Sequence, residues 1–324
     1  MHLALLGDVM LGRLVNEALA RVPPDYPWGD VLPVLRAADA VIVNLECVLA
    51  DRGRPQPGKT FTFRSDARNV AVLAAAGVRA VSLANNHTLD YGEAALLECL
   101  TVLDRAGIAH AGAGRTLEEA QAPATIQVGG ATLALVACTD NEPGWAAAAD
   151  RPGVFHVPVD DPDGPAFRGL LALVAQARAA ADLVVVSVHW GPNWGVAPPP
   201  AHTEAGRRLI EAGAGVVYGH SAHIVRGAAW WGGGLILYSC GDFIDDYAVD
   251  PVERNDWSFV FLLDAAGGRV RRARLVPTVI RDFQARMARP PEREAILARM
   301  HRLCADLGTE TRRSREGLEL PAPA

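Results

Sequence analysis

No stretch of this 324-residue chain reaches the roughly 20 consecutive apolar residues of a membrane-spanning helix. The opening MHLALLGDVMLGR also lacks the basic start and long apolar run of a secretory leader, so a cytoplasmic location is expected. Basic residues are not in excess. Against 37 Asp and Glu stand 31 Lys and Arg, and the net charge of −6 excludes broad-face binding of nucleic acid or of an anionic membrane, leaving only local basic pockets. Cys47, Cys99, Cys138, Cys240 and Cys304 are odd in number and form no CxxC pair, which excludes a zinc ribbon or redox dithiol and predicts reduced structural thiols. No internal repeat is present. What is there is an ordinary globular composition, 50% hydrophobic and 21% charged, in a chain long enough for one large domain or two small ones.

Short apolar runs alternate with helical patterns. LALLG (3–7), AVIVNL (40–45), VRAVSLA (78–84), IAHAG (108–112), LVVVSVHW (183–190) and GVVYGH (215–220) read as strands, with helices at 13–21, 69–77, 92–106, 167–181 and 203–213. ATIQV and ATLALVAC, joined by Gly129-Gly130, read as a hairpin. The fold class is α/β. The later strands GLILYSC (234–240), WSFVFLLD (257–264) and RVRRARLVP (269–277) have no helices between them, which predicts a second, more antiparallel sheet. Two sheets face to face with helices outside would accommodate both halves. The Gly- and Pro-rich stretches 51–60, 140–168 and 191–203 are expected loops of a length that often carries function. Residues 1–285 are expected to form a single domain, and 286–324 a C-terminal amphipathic helix over 290–308 ending in a disordered GLELPAPA tail.

The chemistry collects at strand ends. LALLG runs into Asp8, VIVNL into Glu46, AVSLA into Asn85, Asn86 and His87, LVVVSV into His189, and GVVYG into His220 and His223. In open α/β sheets ligands sit outside the carboxyl ends of the strands, so these side chains should meet at one rim. Carboxylates, an amide and imidazoles without thiolate suit Mn²⁺, Zn²⁺ or Fe. Each residue alone also has an ordinary structural role: Asp8 as a helix cap, His189 as a hydrogen-bonded core histidine, His220 and His223 as turn residues. The joint occurrence at five strand ends is what points to a site.

The ordered set GDVMLGR, NLECVL, LANNHTLDYG, VHWG, GHSAH and YSCGDFIDD, covering about residues 2–247, resembles the CapA-type family named for poly-γ-glutamate capsule biosynthesis, and through it the calcineurin-like metallophosphoesterases. The resemblance implies a four-layer αββα sandwich with a metal-type site at one edge of the sheets. It implies one or two divalent ions (Mn, Zn or Fe) held by Asp8, Glu46, Asn86, His189, His220 and His223. His87 then stands at the position of the catalytic histidine, with Asp90 to orient it. Arg13 and Arg226 are candidates for pairing with a substrate phosphate or carboxylate, or are surface arginines. Trp190, with Trp194, Trp230 and Trp231, either walls a substrate pocket or packs the sheets.

Some residues depart from the phosphoesterase pattern. Met10 replaces the His of D-x-H, Glu46 replaces an Asp, and GHSAH is one residue longer than its counterpart; these three features resemble the CapA branch itself. Asn193 and Asp242 are particular to this chain, and Asp242 is either an added catalytic carboxylate or a loop cap. The expected activity is metal-dependent hydrolysis of a phosphoester or a γ-glutamyl amide in a small-molecule or peptide substrate. Two alternatives stay open: metal-free proton transfer by Glu46, His87 and Asp242 in an isomerase or epimerase, and a non-catalytic accessory that holds an acidic polymer.

Overall fold

A computed structural model describes residues 1–323. Ten strands form the first sheet, whose path runs 312–313, 318–321, 269–281, 257–266, 2–9, 40–45, 78–82, 109–111, with 242–244 beside 2–9 and 284–287 beside 269–281. Six form the second, in the order 228–231, 234–237, 216–220, 183–189, 131–139, 124–128. The hairpin at Gly129-Gly130 is present in the second sheet. The late antiparallel strands 257–266 and 269–281 do not build a sheet of their own, as expected from sequence, but extend the first sheet from its opening strand. GLILYSC instead enters the second sheet, parallel to 216–220. Apolar runs announce strands but not partners, and both sheets offer equally apolar neighbours.

Side-chain alternation builds the layers. Leu3 and Leu5 point between the sheets, while Ala4 and Leu6 face helices Arg13–Leu19, Leu32–Arg36, Val70–Ala75 and Glu93–Ala106. In the other sheet Leu183 and Val185 point inward, and Val184, Val186 and Val188 face helices Pro165–Ala180 and Pro200–Glu211. The result is a four-layer αββα sandwich. Strands buried on both faces explain why their sequences read as unbroken apolar runs. The hydroxyl of Tyr218, in the second sheet, reaches the carbonyls of Leu6 and Ile42 in the first and ties the sheets close to the site.

The C-terminal segment departs from expectation. Helix Glu292–Asp306 sends Ile296, Leu297, Met300 and Cys304 into the inter-sheet layer rather than lying outside. Ala324 of the tail lies outside the described residues, but the segment before it is not disordered: Leu318–Pro321 pairs antiparallel with 272–275 and buries Leu318 and Leu320 between the sheets. Its Leu-Glu-Leu alternation is a strand pattern that the flanking prolines obscured. Among the described residues no helix is long and apolar enough to cross a membrane, and all five cysteines are buried free thiols.

Candidate metal centre

Strand register sets the site. Asp8 lies opposite Asn44 on one side and Asp242 on the other, while His189 lies opposite His220 in the second sheet. Glu46 follows strand 40–45 directly and is anchored by its N–H donating to the Val9 carbonyl at 3.0 Å. Gly7 permits the close approach, since a Cβ there would lie 2.0 Å from the Gly241 carbonyl oxygen just before Asp242. Past His220 the chain turns through Ser221 (φ 87°) and His223 (φ 59°), a left-handed path uncommon for non-glycine residues and typical of functional sites.

Asp8, Glu46 and His189 are buried and bring ligand atoms that all lie within 4.8 Å of one another. Glu46 Oε1 is 3.7 Å from His189 Nε2 and 4.0 Å from His87 Nε2. Asp8 Oδ1 is 2.7 Å from His220 Nδ1 and accepts from Asn44 Nδ2 at 2.9 Å. His223 Nδ1 lies 3.1 Å from Asp242 Oδ1. Both oxygens of Glu46, Nε2 of His189 and of His220, Oδ1 of Asn86 and Oδ2 of Asp242 are buried without a hydrogen-bond partner. Each unpaired buried group costs about 1–3 kcal/mol, so their concentration at one point demands a shared partner. A divalent cation meets that demand, and the O and N donors fit one.

Electrostatics agree with that fit. Burial would raise the Asp8 carboxyl, but His220 beside it, then His189 and Asn44, hold it down to about 2, ionised. Burial, then the Asp8 charge, pushes Glu46 well above the usual carboxylate range, and burial followed by Asp245 and Asp8 does the same to Asp242. Two such carboxyls beside Asp8 are crowded negative charge, which a cation would relieve. Burial lowers His189 to about 3 and His87 to about 4, the latter against the pull of Asp90. Neutral imidazoles are what metal ligation requires.

The Asn85-Asn86-His87 triplet divides its labour. Asn85 is a brace: its Nδ2 donates to Asn44 Oδ1 (3.2 Å) and the Leu45 carbonyl (2.9 Å), and its Oδ1 accepts from the His87 N–H (3.0 Å). Asn86 carries the free amide oxygen. His87 is stacked under Phe63 at 3.8 Å, and its Nδ1 is 2.6 Å from Asp90 Oδ2. Asp90 Oδ2 also accepts from the Phe63 N–H at 2.6 Å, and its Oδ1 is 2.7 Å from Lys59 Nζ.

A cavity of about 550 Å³ opens over the cluster, with Arg13, Lys59, Asn86, His87, His223 and Tyr247 among the residues that line it. Arg13 lies at its edge, with Nε 3.3 Å from Asp246 Oδ2 and its guanidinium over Phe61. Two of the candidates for substrate contact are not at the cavity. Arg226 is 1% exposed and donates to the carbonyls of Gly195, Pro192 and Trp194, so it pins the 191–199 loop from inside instead of meeting substrate. Trp190 is fully buried, stacks on His202 at 4.5 Å and donates to the Tyr238 carbonyl, so it is core and Trp194 lines the cavity in its stead. Apolar or basic type near a ligand was the only signal for these two, and it does not give direction.

Asn44, Lys59 and Tyr247 went unnoticed in the sequence. Asn44 had a visible sign, being the one polar residue in AVIVNL, and Lys59 had a stronger one: it is the only lysine among the chain's 31 basic residues.

An αββα sandwich with a buried carboxylate–imidazole cluster at its strand ends is the class that fold and site define. Within it the chain belongs to the family described as bacterial capsule synthesis protein PGA_cap, whose family model matches residues 2–247. It is 36% identical over 250 residues to the probable polyglutamine synthesis accessory protein MT0602 of Mycobacterium tuberculosis, covering 74% of this chain and 65% of that one. To the PGA biosynthesis protein CapA of Bacillus subtilis it is 30% identical over 244 residues, covering 74% and 62%. The capsule biosynthesis protein CapA of Bacillus anthracis is 29% identical over 252 residues, covering 75% and 59%. The chain thus spans about six-tenths of the length of the curated relatives it matches.

Proposed function

We propose that the protein is a metal-dependent hydrolase that cleaves a phosphoester or a γ-glutamyl amide bond in a small-molecule or peptide substrate. The observation that carries this reading is the set of unpartnered buried donors on Glu46, Asn86, His189 and His220, beside a cavity that Asn86 and His87 line. Asp8, Glu46 and His189, with Asn86, His220 and His223 around them, would hold one or two ions of the Mn, Zn or Fe kind. Such an ion, when bound, lowers the pKa of water and neutralises charge on a phosphoryl or carbonyl oxygen. His87, with Nδ1 fixed by Asp90, turns Nε2 toward Glu46 and the cavity and moves a proton there between attacking and leaving groups. Arg13 attracts an anionic group to the cavity edge. A cavity of about 550 Å³ is within the range of small-ligand sites.

One observation favours a second reading, a non-catalytic accessory that holds an acidic polymer. Met10 is buried with its sulfur accepting from the Gly12 N–H at 3.0 Å, so the first loop supplies one carboxylate and no imidazole. The mycobacterial relative is itself described as an accessory protein.

The test is metal content by plasma mass spectrometry in the wild type and in His189→Ala, followed by a panel of phosphoesters and γ-glutamyl amides with and without chelator. Bound metal lost in His189→Ala, with chelator-sensitive hydrolysis, is expected. Salt-sensitive polymer binding without turnover would turn the reading to the accessory role, and metal-free exchange of a substrate Cα hydrogen with D₂O would turn it to an epimerase.

A further inference from the structure

The chain uses arginine at every basic position but one, and that one, Lys59, sits on the proposed proton-transfer pair. Its side chain is 17% exposed and its Nζ has three oxygen partners: Asp90 Oδ1 at 2.7 Å, Glu142 Oε1 at 3.5 Å and the backbone carbonyl of Asn86. The Trp145 ring covers the ammonium, 4.3 Å from Nζ to the ring centroid. Three acceptors around a point, with an aromatic face above, match a compact ammonium with three rotatable donors. A planar guanidinium presents its donors in a fixed fork and cannot turn three donors from one nitrogen toward converging acceptors. The geometry therefore gives a reason why arginine, used at every other basic position, is not used here.

Lys59 also belongs to a loop that is built over the site. Arg54 and Gln56 donate backbone N–H groups to the carbonyls of Tyr91 (3.3 Å) and Asp90 (2.7 Å), and Phe63 closes the loop by stacking on His87. Asp90 is fully buried and holds three groups at once: Lys59 Nζ on Oδ1, and the Phe63 N–H and His87 Nδ1 on Oδ2. Without the ammonium, Oδ1 loses its one close partner and the carboxylate is free to rotate away from the imidazole.

We infer that Lys59 is a positioning residue for His87, acting through Asp90: it holds the carboxylate in the rotamer that accepts from Nδ1–H and so keeps Nε2 facing the cavity. This rests on His87 being the proton-handling group of the reading above, but it is tested without turnover. In protein labelled with [¹⁵N]histidine, with the His87 signal assigned by its loss in His87→Gln, the wild type should show a proton on Nδ1. In Lys59→Met and Lys59→Arg that tautomer signal should weaken or move while metal content is unchanged, and Lys59→Met should add nothing in an Asp90→Asn background. Because Lys59 is the only lysine, reductive dimethylation of the folded wild-type protein alters, apart from the N-terminal amine, that one group: it leaves a single N–H for three acceptors and adds two methyl groups to the niche, so it should give the same change without a mutation, which covers variants that fail to fold. On any substrate that is turned over, kcat should fall about 10- to 100-fold with KM nearly constant, as for loss of an outer-shell orienting group. An unchanged His87 signal in the methylated protein and in both variants overturns the inference. Absence of hydrolysis with the signal change intact would instead overturn the hydrolase reading and leave the positioning role standing.

Discussion

Asp90→Asn preserves shape and removes one charge, so it isolates what the buried carboxylate contributes. Its amide oxygen can still accept from the Phe63 N–H, but its NH₂ group must then face Lys59 Nζ, which lies 2.7 Å from Asp90 Oδ1. A donor thus meets a donor where an ion pair stood. Breaking a buried ion pair by removing one partner costs about 3–5 kcal/mol, because the other charge is left uncompensated. Glu142, 3.5 Å from the same ammonium and itself 39% exposed on its side chain, offsets part of this. A net loss of about 2–4 kcal/mol follows, equivalent to about 1 M in the urea midpoint for an m-value near 2–3 kcal/mol/M. Urea unfolding followed by circular dichroism measures it, with metal content as the control because Asp90 lies outside the donor cluster. A midpoint shift below about 0.3 M would refute the reasoning, since it would mean that no buried charge pair had been broken.

Two further outcomes test the fold. Leu320→Ala removes a fully buried side chain from between the sheets and should cost about 2–4 kcal/mol by chemical denaturation, whereas a disordered tail would give no change. Burial, then the Arg226 charge, lowers His202 to about 4, so the folded state keeps it neutral while the unfolded chain protonates near 6.5. Its contribution is intact above pH 6.5 and lost as pH falls toward 4, up to about 3 kcal/mol; His202→Phe, which keeps the stacking on Trp190, should flatten that limb of the stability–pH curve.

The meeting of Asp8, Glu46, His189 and His220 was legible because each stands at the end of an apolar strand, and strand ends of parallel sheets share a rim. Asp242 and Asp8 are neighbours for the same reason of register. What the sequence left obscure depends on direction and partner. Arg226 turns inward because three loop carbonyls need donors, and nothing in GHSAHIVR states where those carbonyls lie. Strand 257–266 joins the first sheet because its partner is the opening strand, more than 250 residues away in places. Lys59 was hidden by its setting in DRGRPQPGKT, whose glycines and prolines read only as loop, although its uniqueness among the basic residues was countable.

The donor set is divided between the sheets: Asp8, Glu46 and Asn86 come from the first, His189, His220 and His223 from the second. Neither sheet alone carries the whole set, so the cluster comes into being only when the two dock. Any opening that parts the sheets also separates Asp8 and Glu46 from His189 and His220. The integrity of the cluster is then a local report on a global event, the docking of one sheet on the other.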